Sequence, residues 1–184
     1  MRKLLNKELE RKSLEQFRRS EKSPFIIVLD NVRSHSNVGS VFRTADAFMT
    51  EAIYLCGITA TPPHREISKT ALGATESVAW RYYSQTLEAV AELKDRGYRI
   101  AGIEQAVGST ELQNMKILTG EKYALIFGHE VNGVAQEVLD KCDICIEIPQ
   151  FGTKHSFNIS ISAGIVLWEL NKKLSQIILL QNTL

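Results

Sequence analysis

The sequence lacks the features that mark several large classes of protein. No apolar run approaches the roughly 20 residues of a membrane-spanning helix, and residues 1–10 contain no long apolar core like that of a secretory signal. The chain has only three cysteines, an odd number that argues against a disulfide framework. We therefore expect a cytoplasmic protein that is not associated with a membrane.

Two of the cysteines, Cys142 and Cys145, have the C-x-x-C spacing of many metal and redox sites. A zinc site of this kind needs a second pair of ligands, which the sequence does not offer, and the two cysteines open a predicted strand rather than a helix. We interpret both as buried structural residues and expect no metal site.

Three common nucleotide and hydrolase motifs are also missing. No G-x-G-x-x-G follows the first predicted strand, and neither G-x-x-x-x-G-K-[ST] nor G-x-S-x-G occurs anywhere in the chain. These absences disfavour a dinucleotide-dependent oxidoreductase, a phosphate-loop nucleotidase and an α/β-hydrolase.

Charge is distributed unevenly along the 184 residues. The net charge is only +1, but residues 1–22 contain eight Lys or Arg against four Glu, and the remaining chain is slightly acidic. This basic leader could contact phosphate, although a solvated helix of mixed charge fits the same pattern. The chain length fits one domain, and we expect residues 1–24 to be a basic helical extension of a domain that spans residues 25–184.

Short apolar runs of strand length alternate with helical patterns, which predicts an α/β fold with a parallel sheet flanked by helices. The predicted strands are Phe25–Leu29, Ala52–Cys56, Ala79–Tyr83, Tyr98–Ile103, Tyr123–Phe127 and Ile144–Ile148. Between the second and third strands, residues 57–70 are predicted to form a long functional loop that carries His64, Arg65 and Lys69, followed by a helical turn over residues 71–77.

The segment after the last predicted strand can be interpreted in two ways. Residues 157–162 alternate apolar and polar side chains, which favours a strand, but a longer window favours a helix with two apolar stripes. The stripes are Phe157, Ile161, Ile165 and Trp168, and Ala163, Leu167, Leu170 and Leu174. One stripe can pack on the sheet, and the other predicts a second partner, for which an identical subunit is the simplest candidate.

Three motifs follow predicted strands: N-V-G-S-V-F-R-T-A-D-A-F (residues 37–48), L-I-F-G-H-E-V-N-G-V (residues 125–134) and I-P-Q-F-G-T-K-H-S-F-N-I-S-I-S-A-G-I (residues 148–165). Together, in this order, they resemble the SpoU branch of the SPOUT methyltransferases, the TrmH-like RNA ribose 2′-O-methyltransferases. The resemblance covers nearly the whole body of the chain and leaves out the basic leader.

The resemblance implies a deep C-terminal trefoil knot, a homodimer, S-adenosylmethionine as cofactor and tRNA or rRNA as substrate. The cofactor positions it implies are Ile103, Gly128, Ile148 and Phe157. The catalytic positions it implies are Arg43, Asn37, Glu130, Ser156 and Asn158. A non-catalytic RNA-binding dimer with the same fold is the alternative.

Each polar position also has a purely structural interpretation. Asn37 could cap a helix and Gly39 could simply turn the chain. Glu130 could be an acidic residue favoured ahead of a helix over residues 134–139, and Ser156 and Asn158 could cap the last helix.

The chemistry of Arg43 can be considered separately. Deprotonating an arginine at pH 7 costs roughly 7 kcal/mol, whereas general-base catalysis contributes about 3 to 5 kcal/mol. Arg43 is therefore expected to stay charged, to bind phosphate and to stabilise the developing alkoxide. Water or one of the three histidines in or beside the motifs, His35, His129 or His155, would then accept the proton, unless these histidines only face solvent.

Overall fold

The computed structural model describes residues 1–181, in which a seven-stranded parallel sheet alternates with helices. The strands are β1 (Ser23–Asp30), β2 (Thr50–Cys56), β3 (Ala79–Tyr83), β4 (Tyr98–Ile103), β5 (Thr110–Glu111), β6 (Lys122–Phe127) and β7 (Ile144–Glu147). The helices are α1 (Leu14–Arg19), α2 (His35–Ala47), α3 (Arg65–Ala71), α4 (Ala74–Ser77), α5 (Thr86–Asp95), α6 (Gln136–Leu139) and α7 (Ile159–Gln181). The predicted α/β fold is confirmed.

The order of strands in the sheet is β3-β2-β1-β6-β4-β7-β5. The ends of the central strands are level, because Phe127 of β6 pairs with Leu29 of β1 on one side and with Ile103 of β4 on the other. The loops that follow β1, β6, β4 and β7 therefore lie side by side at the carboxyl ends of the strands. Ligands bind at this end of the strands in open α/β sheets.

Both faces of the sheet are covered, as a parallel sheet requires. Alternate residues of β1 show the division: Phe25 and Leu29 belong to the core beneath α2 and α7, and Ile26 and Val28 belong to the core beneath α5. Burial on both faces explains why the central strands are continuous apolar runs.

The region between β2 and β3 differs from its prediction. Residues 65–71 form α3 rather than part of a loop, and the ring of His64 caps this helix by accepting a hydrogen bond from the amide of Glu66 at 3.2 Å. The helix buries only Ile67 and Ala71, so its sequence has too short an apolar stripe to predict a helix.

Helix α3 packs closely on α2 at Gly39. A Cβ atom on Gly39 would lie 2.1 Å from Thr70 Oγ1 and 2.3 Å from the carbonyl oxygen of Ile67. Gly39 lies inside α2, so the interpretation that it turns the chain is wrong; its missing side chain lets two helices approach.

The C-terminal segment forms a helix rather than a strand. The stripe of Ala163, Leu167 and Leu170 is fully buried against the body of the domain, whereas Ile161 and Trp168 on the other stripe are 53% and 64% exposed. Phe157 precedes the helix, which begins at Ile159. Within residues 1–181, no helix is both long and apolar enough to cross a membrane.

The three cysteines are free thiols, with Cys56 buried and the other two half-buried. Burial raises the pKa of Cys56 to about 12 and that of Cys142 to about 11. Raised pKa values keep both thiols protonated and unreactive at neutral pH, which agrees with a structural role.

Candidate functional site

A cavity of about 480 Å³ lies at the carboxyl ends of β4, β6 and β7. All four predicted cofactor positions line it: Ile103, Gly128, Ile148 and Phe157. Three of the predicted polar positions line it as well: Glu130, Ser156 and Asn158. The structure thus brings together residues from three separate stretches of the chain.

The loop that follows β6 forms one wall of the cavity and is closed by its own main-chain hydrogen bonds. His129 and Gly133 exchange two backbone hydrogen bonds of 2.9 and 2.8 Å, and Gly133 has φ +66°. A Cβ atom on Gly128 would lie 2.1 Å from the carbonyl carbon of Gly133, so the chain closes tightly on itself. The missing side chain of Gly128 therefore lets the loop close on itself beside the cavity.

The carboxylate of Glu104 holds the end of this loop. Its Oε2 accepts a hydrogen bond from the amide of Val134 at 3.0 Å, and its Oε1 accepts one from the amide of Gln105 at 2.9 Å. Glu104 also lines the cavity, but the sequence interpretation missed it. Its position directly after β4 was the available signal, because polar residues that follow parallel strands lie at the ligand-binding edge.

Glu130 connects the loop after β6 to the start of α2. Its carboxylate accepts hydrogen bonds from the amides of Arg33 and Ser34 at 3.0 and 2.9 Å. Burial raises the pKa of Glu130, but these amide hydrogen bonds lower it by more, so the net pKa is below its usual range. Glu130 is thus an acid at a helix N-terminus, but at that of α2 rather than the one predicted at residues 134–139.

Asn37 joins Glu130 to the third motif. Its Nδ2 donates to Glu130 Oε1 at 3.3 Å, and its Oδ1 accepts from Asn158 Nδ2 at 3.1 Å. The side chain is 9% exposed and does not cap α2; Ser34 does, through its Oγ. The interpretation of Asn37 as a cap is therefore wrong, and its buried amide connects all three motifs.

Asn158 has two roles at once. Its Oδ1 accepts hydrogen bonds from the amide and hydroxyl of Ser160 at 2.9 and 2.7 Å, which caps the first turn of α7. Its amide nitrogen remains free to donate to Asn37. Ser156 is exposed on the cavity wall, and its hydroxyl makes no hydrogen bond within the part of the chain that the structure describes.

Arg43 is not brought into the cavity of a single chain. It lies six residues after Asn37 in α2, about 9 Å further along the helix axis, and on another face. The side chain is exposed and forms no hydrogen bond or ion pair among residues 1–181. Its guanidinium is therefore free to bind an anionic partner from outside the chain.

The three motif histidines have different surroundings. His129 Nδ1 accepts hydrogen bonds from the amides of Val131 and Asn132 at 3.0 and 3.3 Å. His155 is exposed on the cavity wall, and the ring of His35 stacks on that of His64. Only His155 combines contact with the cavity and a ring free of hydrogen bonds within the described chain.

Glu130 gives a first testable prediction. Glu130→Gln keeps the shape of the side chain but replaces one accepting carboxylate oxygen with an NH2 group, which faces a backbone N–H donor. We therefore expect the free energy of unfolding to fall by about 1 kcal/mol and the melting temperature by roughly 2–4 °C. Because the pKa of Glu130 is lowered on folding, its stabilising effect is complete above about pH 4.3 and is lost as the pH falls below that value.

Thermal unfolding of both proteins between pH 7 and pH 3 would test this prediction. The difference in melting temperature should be largest at pH 7 and shrink in the acid range. A difference that stays constant down to pH 3 would mean that the charge of Glu130 does not hold the start of α2.

Comparisons with known proteins agree with this geometry. Residues 24–168 match the model of the SpoU rRNA Methylase family. The chain is 30% identical over 160 residues to a Staphylococcus aureus protein whose name places it in the TrmH family of tRNA/rRNA methyltransferases, covering 87% of this chain and 63% of that protein. It is 31% identical over 150 residues to the 23S rRNA (guanosine-2′-O-)-methyltransferase RlmB of Neisseria meningitidis, covering 82% of this chain and 59% of that one.

A solved structure has the same fold. The AdoMet-bound rRNA methyltransferase from Sinorhizobium meliloti superposes with a TM-score of 0.78 at 26% identity, covering 84% of this chain and 58% of that protein. This chain therefore spans about six tenths of the length of these relatives.

Proposed function

Since the chain belongs to the SpoU rRNA methylase family, we propose that it transfers a methyl group from S-adenosylmethionine to a ribose 2′-hydroxyl of tRNA or rRNA in the cytoplasm. One observation carries the proposal: the Glu130–Asn37–Asn158 chain of hydrogen bonds stands at the edge of the cavity at the strand ends. Methyl transfer needs the cofactor and the ribose held in line, and a binding cavity with a fixed polar group beside it can provide this alignment.

The cavity fits the cofactor in size and chemistry. Its volume of about 480 Å³ lies within the 300–1,000 Å³ typical of ligand pockets. Ile103, Ile148 and Phe157 offer apolar contacts for the adenine ring, and the main chain of residues 128–133 offers hydrogen bonds. When bound, S-adenosylmethionine supplies a methyl group on a positively charged sulfur.

The polar residues at or near the edge of the cavity have distinct proposed roles. Glu130 is held by three hydrogen-bond donors and has a lowered pKa, so it positions Asn37 rather than accepting a proton. Asn37 and Ser156 orient the ribose, and Arg43 stays charged, binds a phosphate of the RNA and stabilises the developing alkoxide.

We propose His155 as the acceptor of the hydroxyl proton. A neutral His129 whose Nδ1 accepts backbone hydrogen bonds carries its proton on Nε2, so it cannot accept another without opening the loop. His155 has no such constraint within the described chain and lines the cavity.

We further propose that the chain acts as a homodimer through α7. The exposed stripe of Ile161 and Trp168 is continuous with α2, because the Trp168 ring packs edge-on against Phe48 at 6.5 Å. Exposed apolar stripes of this kind mark protein interfaces, and an isologous pair would cover both copies at once. A dimer would also bring a second Arg43 near each site.

Trp168→Glu tests the dimer. A charge at the centre of an apolar interface should weaken self-association at least about 30-fold and shift the mass in sedimentation from two chains towards one. Lys141→Glu, which changes an exposed residue after α6 on the other side of the sheet, should leave the mass unchanged. A single-chain mass for the unaltered protein would contradict the proposal.

We also propose the domain division and the knot that the resemblance implies. Residues 1–24 would form the basic extension and residues 25–184 the methyltransferase domain, of which residues 182–184 lie outside those described. In the proposed knot, the segment around the third motif threads through the loop after the second motif. The hydrogen bond from Gln105 Nε2 to the carbonyl of His155, at 2.8 Å, holds this segment against the loop after β4. Pulling on the chain ends should give an extension shorter than the roughly 3.5 Å per residue of an unknotted chain.

One experiment tests the activity and the substrate together. The protein is incubated with radiolabelled S-adenosylmethionine and bulk RNA from a strain that lacks it, and labelled nucleosides are mapped in tRNA and rRNA separately. Label in a 2′-O-methylnucleoside is the expected result. If calorimetry detects no binding of S-adenosylmethionine while RNA still binds, a non-catalytic RNA-binding dimer replaces the proposal.

A further inference from the structure

Two imidazole rings stack on the surface beside the proposed site. His35, the first residue of α2, and His64, the N-cap of α3, have ring centroids 4.0 Å apart and planes only 22° from parallel. His64 is exposed and His35 is half-buried, and within residues 1–181 neither ring stacks on any other aromatic side chain. We name these two rings the imidazole stack.

The imidazole stack is held in place by the main chain around it. His64 Nδ1 accepts a hydrogen bond from the amide of Glu66 at 3.2 Å. Thr70 Oγ1 donates a hydrogen bond to the carbonyl of Ser36 at 3.0 Å, which joins α3 to the first turn of α2. The rings are therefore presented by two helices in a fixed arrangement.

The imidazole stack lies next to the cavity. Ser34, which precedes His35, donates its amide to Glu130 Oε1 at 2.9 Å, and Glu130 lines the cavity. Asn37, two residues after His35, donates to the same carboxylate oxygen. An RNA strand whose ribose reached Asn37 would place a neighbouring nucleotide over the rings.

The geometry of the stack favours a flat ligand over a metal ion. Lone pairs of imidazole lie in the ring plane, so two nearly parallel rings cannot both direct a nitrogen at one ion. His64 Nδ1 is in addition occupied by a backbone amide. The ring face of the exposed His64 is the part of the stack that a ligand can cover.

Unpaired cations flank the stack. Arg33, Arg65 and Lys69 are exposed and form no ion pair in the described part of the chain. Arg81, Arg96 and Arg99, near α5, are all paired with glutamates. Free cations beside an exposed aromatic face are the combination that binds single-stranded nucleic acid, with the cations at phosphates and the rings beneath a base.

We propose that the imidazole stack is a binding subsite for an unpaired nucleobase of the substrate RNA, next to the nucleotide whose ribose is methylated. The proposal rests on the proposed function for the identity of the ligand as RNA. It adds that recognition includes stacking of one base on His64, supported from beneath by His35.

Binding of labelled bulk tRNA and of labelled fragmented rRNA, measured without methyl donor, tests the subsite. His64→Asn removes the ring but keeps a favoured helix cap, and should weaken binding of one of the two RNAs about tenfold. His35→Ala should weaken the same RNA similarly, whereas His35→Phe, which keeps a ring, should stay within about twofold of the unaltered protein. The dependence of binding on salt should not change, because no phosphate contact is lost.

Two results would overturn the proposal. One is an effect of His64→Asn smaller than twofold on both RNAs. The other is RNA binding that stays near the unaltered level in His35→Lys but falls in His35→Phe. Together with a changed dependence of binding on salt, this result would indicate a phosphate contact instead of stacking. Unchanged melting temperatures and cofactor affinity in these variants would separate a binding effect from misfolding. Failure of the proposed function would appear differently, as an unaltered protein that does not bind S-adenosylmethionine or transfer its methyl group.

Discussion

Asn37→Asp is expected to lower the rate of methyl transfer by about 100-fold or more. The new carboxylate oxygen would replace the amide nitrogen that donates to Glu130 Oε1 at 3.3 Å, at a position that is only 9% exposed. Two carboxylates at that separation repel by up to about 5 kcal/mol at an effective dielectric constant of 20. This repulsion is expected to open the chain of hydrogen bonds and so to displace the group that we propose to orient the ribose.

Single-turnover rates at saturating RNA and methyl donor would measure this effect. Asn37→Ala is the matched control, because it removes both hydrogen bonds without adding charge and should therefore cost less than Asn37→Asp. Far-ultraviolet circular dichroism of both variants would establish that the fold is retained. A rate for Asn37→Asp within threefold of the unaltered protein would remove Asn37 from the proposed machinery.

Arg43→Ala should reduce the single-turnover rate by about 100- to 1,000-fold, the usual effect of removing a group that stabilises a developing oxyanion. The affinity for S-adenosylmethionine should stay the same, since Arg43 does not line the cavity. Arg43→Lys keeps the charge but loses the two-pronged contact with phosphate, and should recover part of the rate.

The pH dependence of the same single-turnover rate addresses the proton acceptor. If His155 accepts the proton, the pH dependence of the rate should show a break in the unaltered protein, and His155→Ala should abolish this break. A rate that keeps rising to high pH would instead leave water or an arginine as the proton acceptor. A large loss of cofactor affinity in Arg43→Ala would contradict the role assigned to Arg43.

The central strands could be predicted from the sequence because they are buried on both faces. Residues 25–29 and 123–127 are uninterrupted apolar runs, and the structure places them as neighbouring strands β1 and β6. The last helix was also predictable, because its buried stripe repeats over several turns. The two-residue strand β5 was missed, since two residues at a sheet edge have no apolar pattern.

The candidate site was predictable only in part. The resemblance supplied the four cavity-lining positions, all of which the structure brings together, but spacing along the chain could not show that Asn37 bonds to both Glu130 and Asn158. These contacts join residues more than 90 positions apart and depend on the order of strands in the sheet. The stacking of His64 on His35 was missed for the same reason.

The self-closing loop after β6 has a consequence for evolutionary drift. Its ends are joined by hydrogen bonds between the peptide groups of His129 and Gly133, which every amino acid carries, so neutral substitutions can accumulate between them without opening the loop. Two glycines are closed to this drift: a Cβ atom on Gly128 would collide with the main chain of Gly133, and Gly133 has φ +66°, which residues with a side chain rarely adopt. A descendant that had lost either glycine would have had to rebuild the wall, even if every other residue of the motif survived.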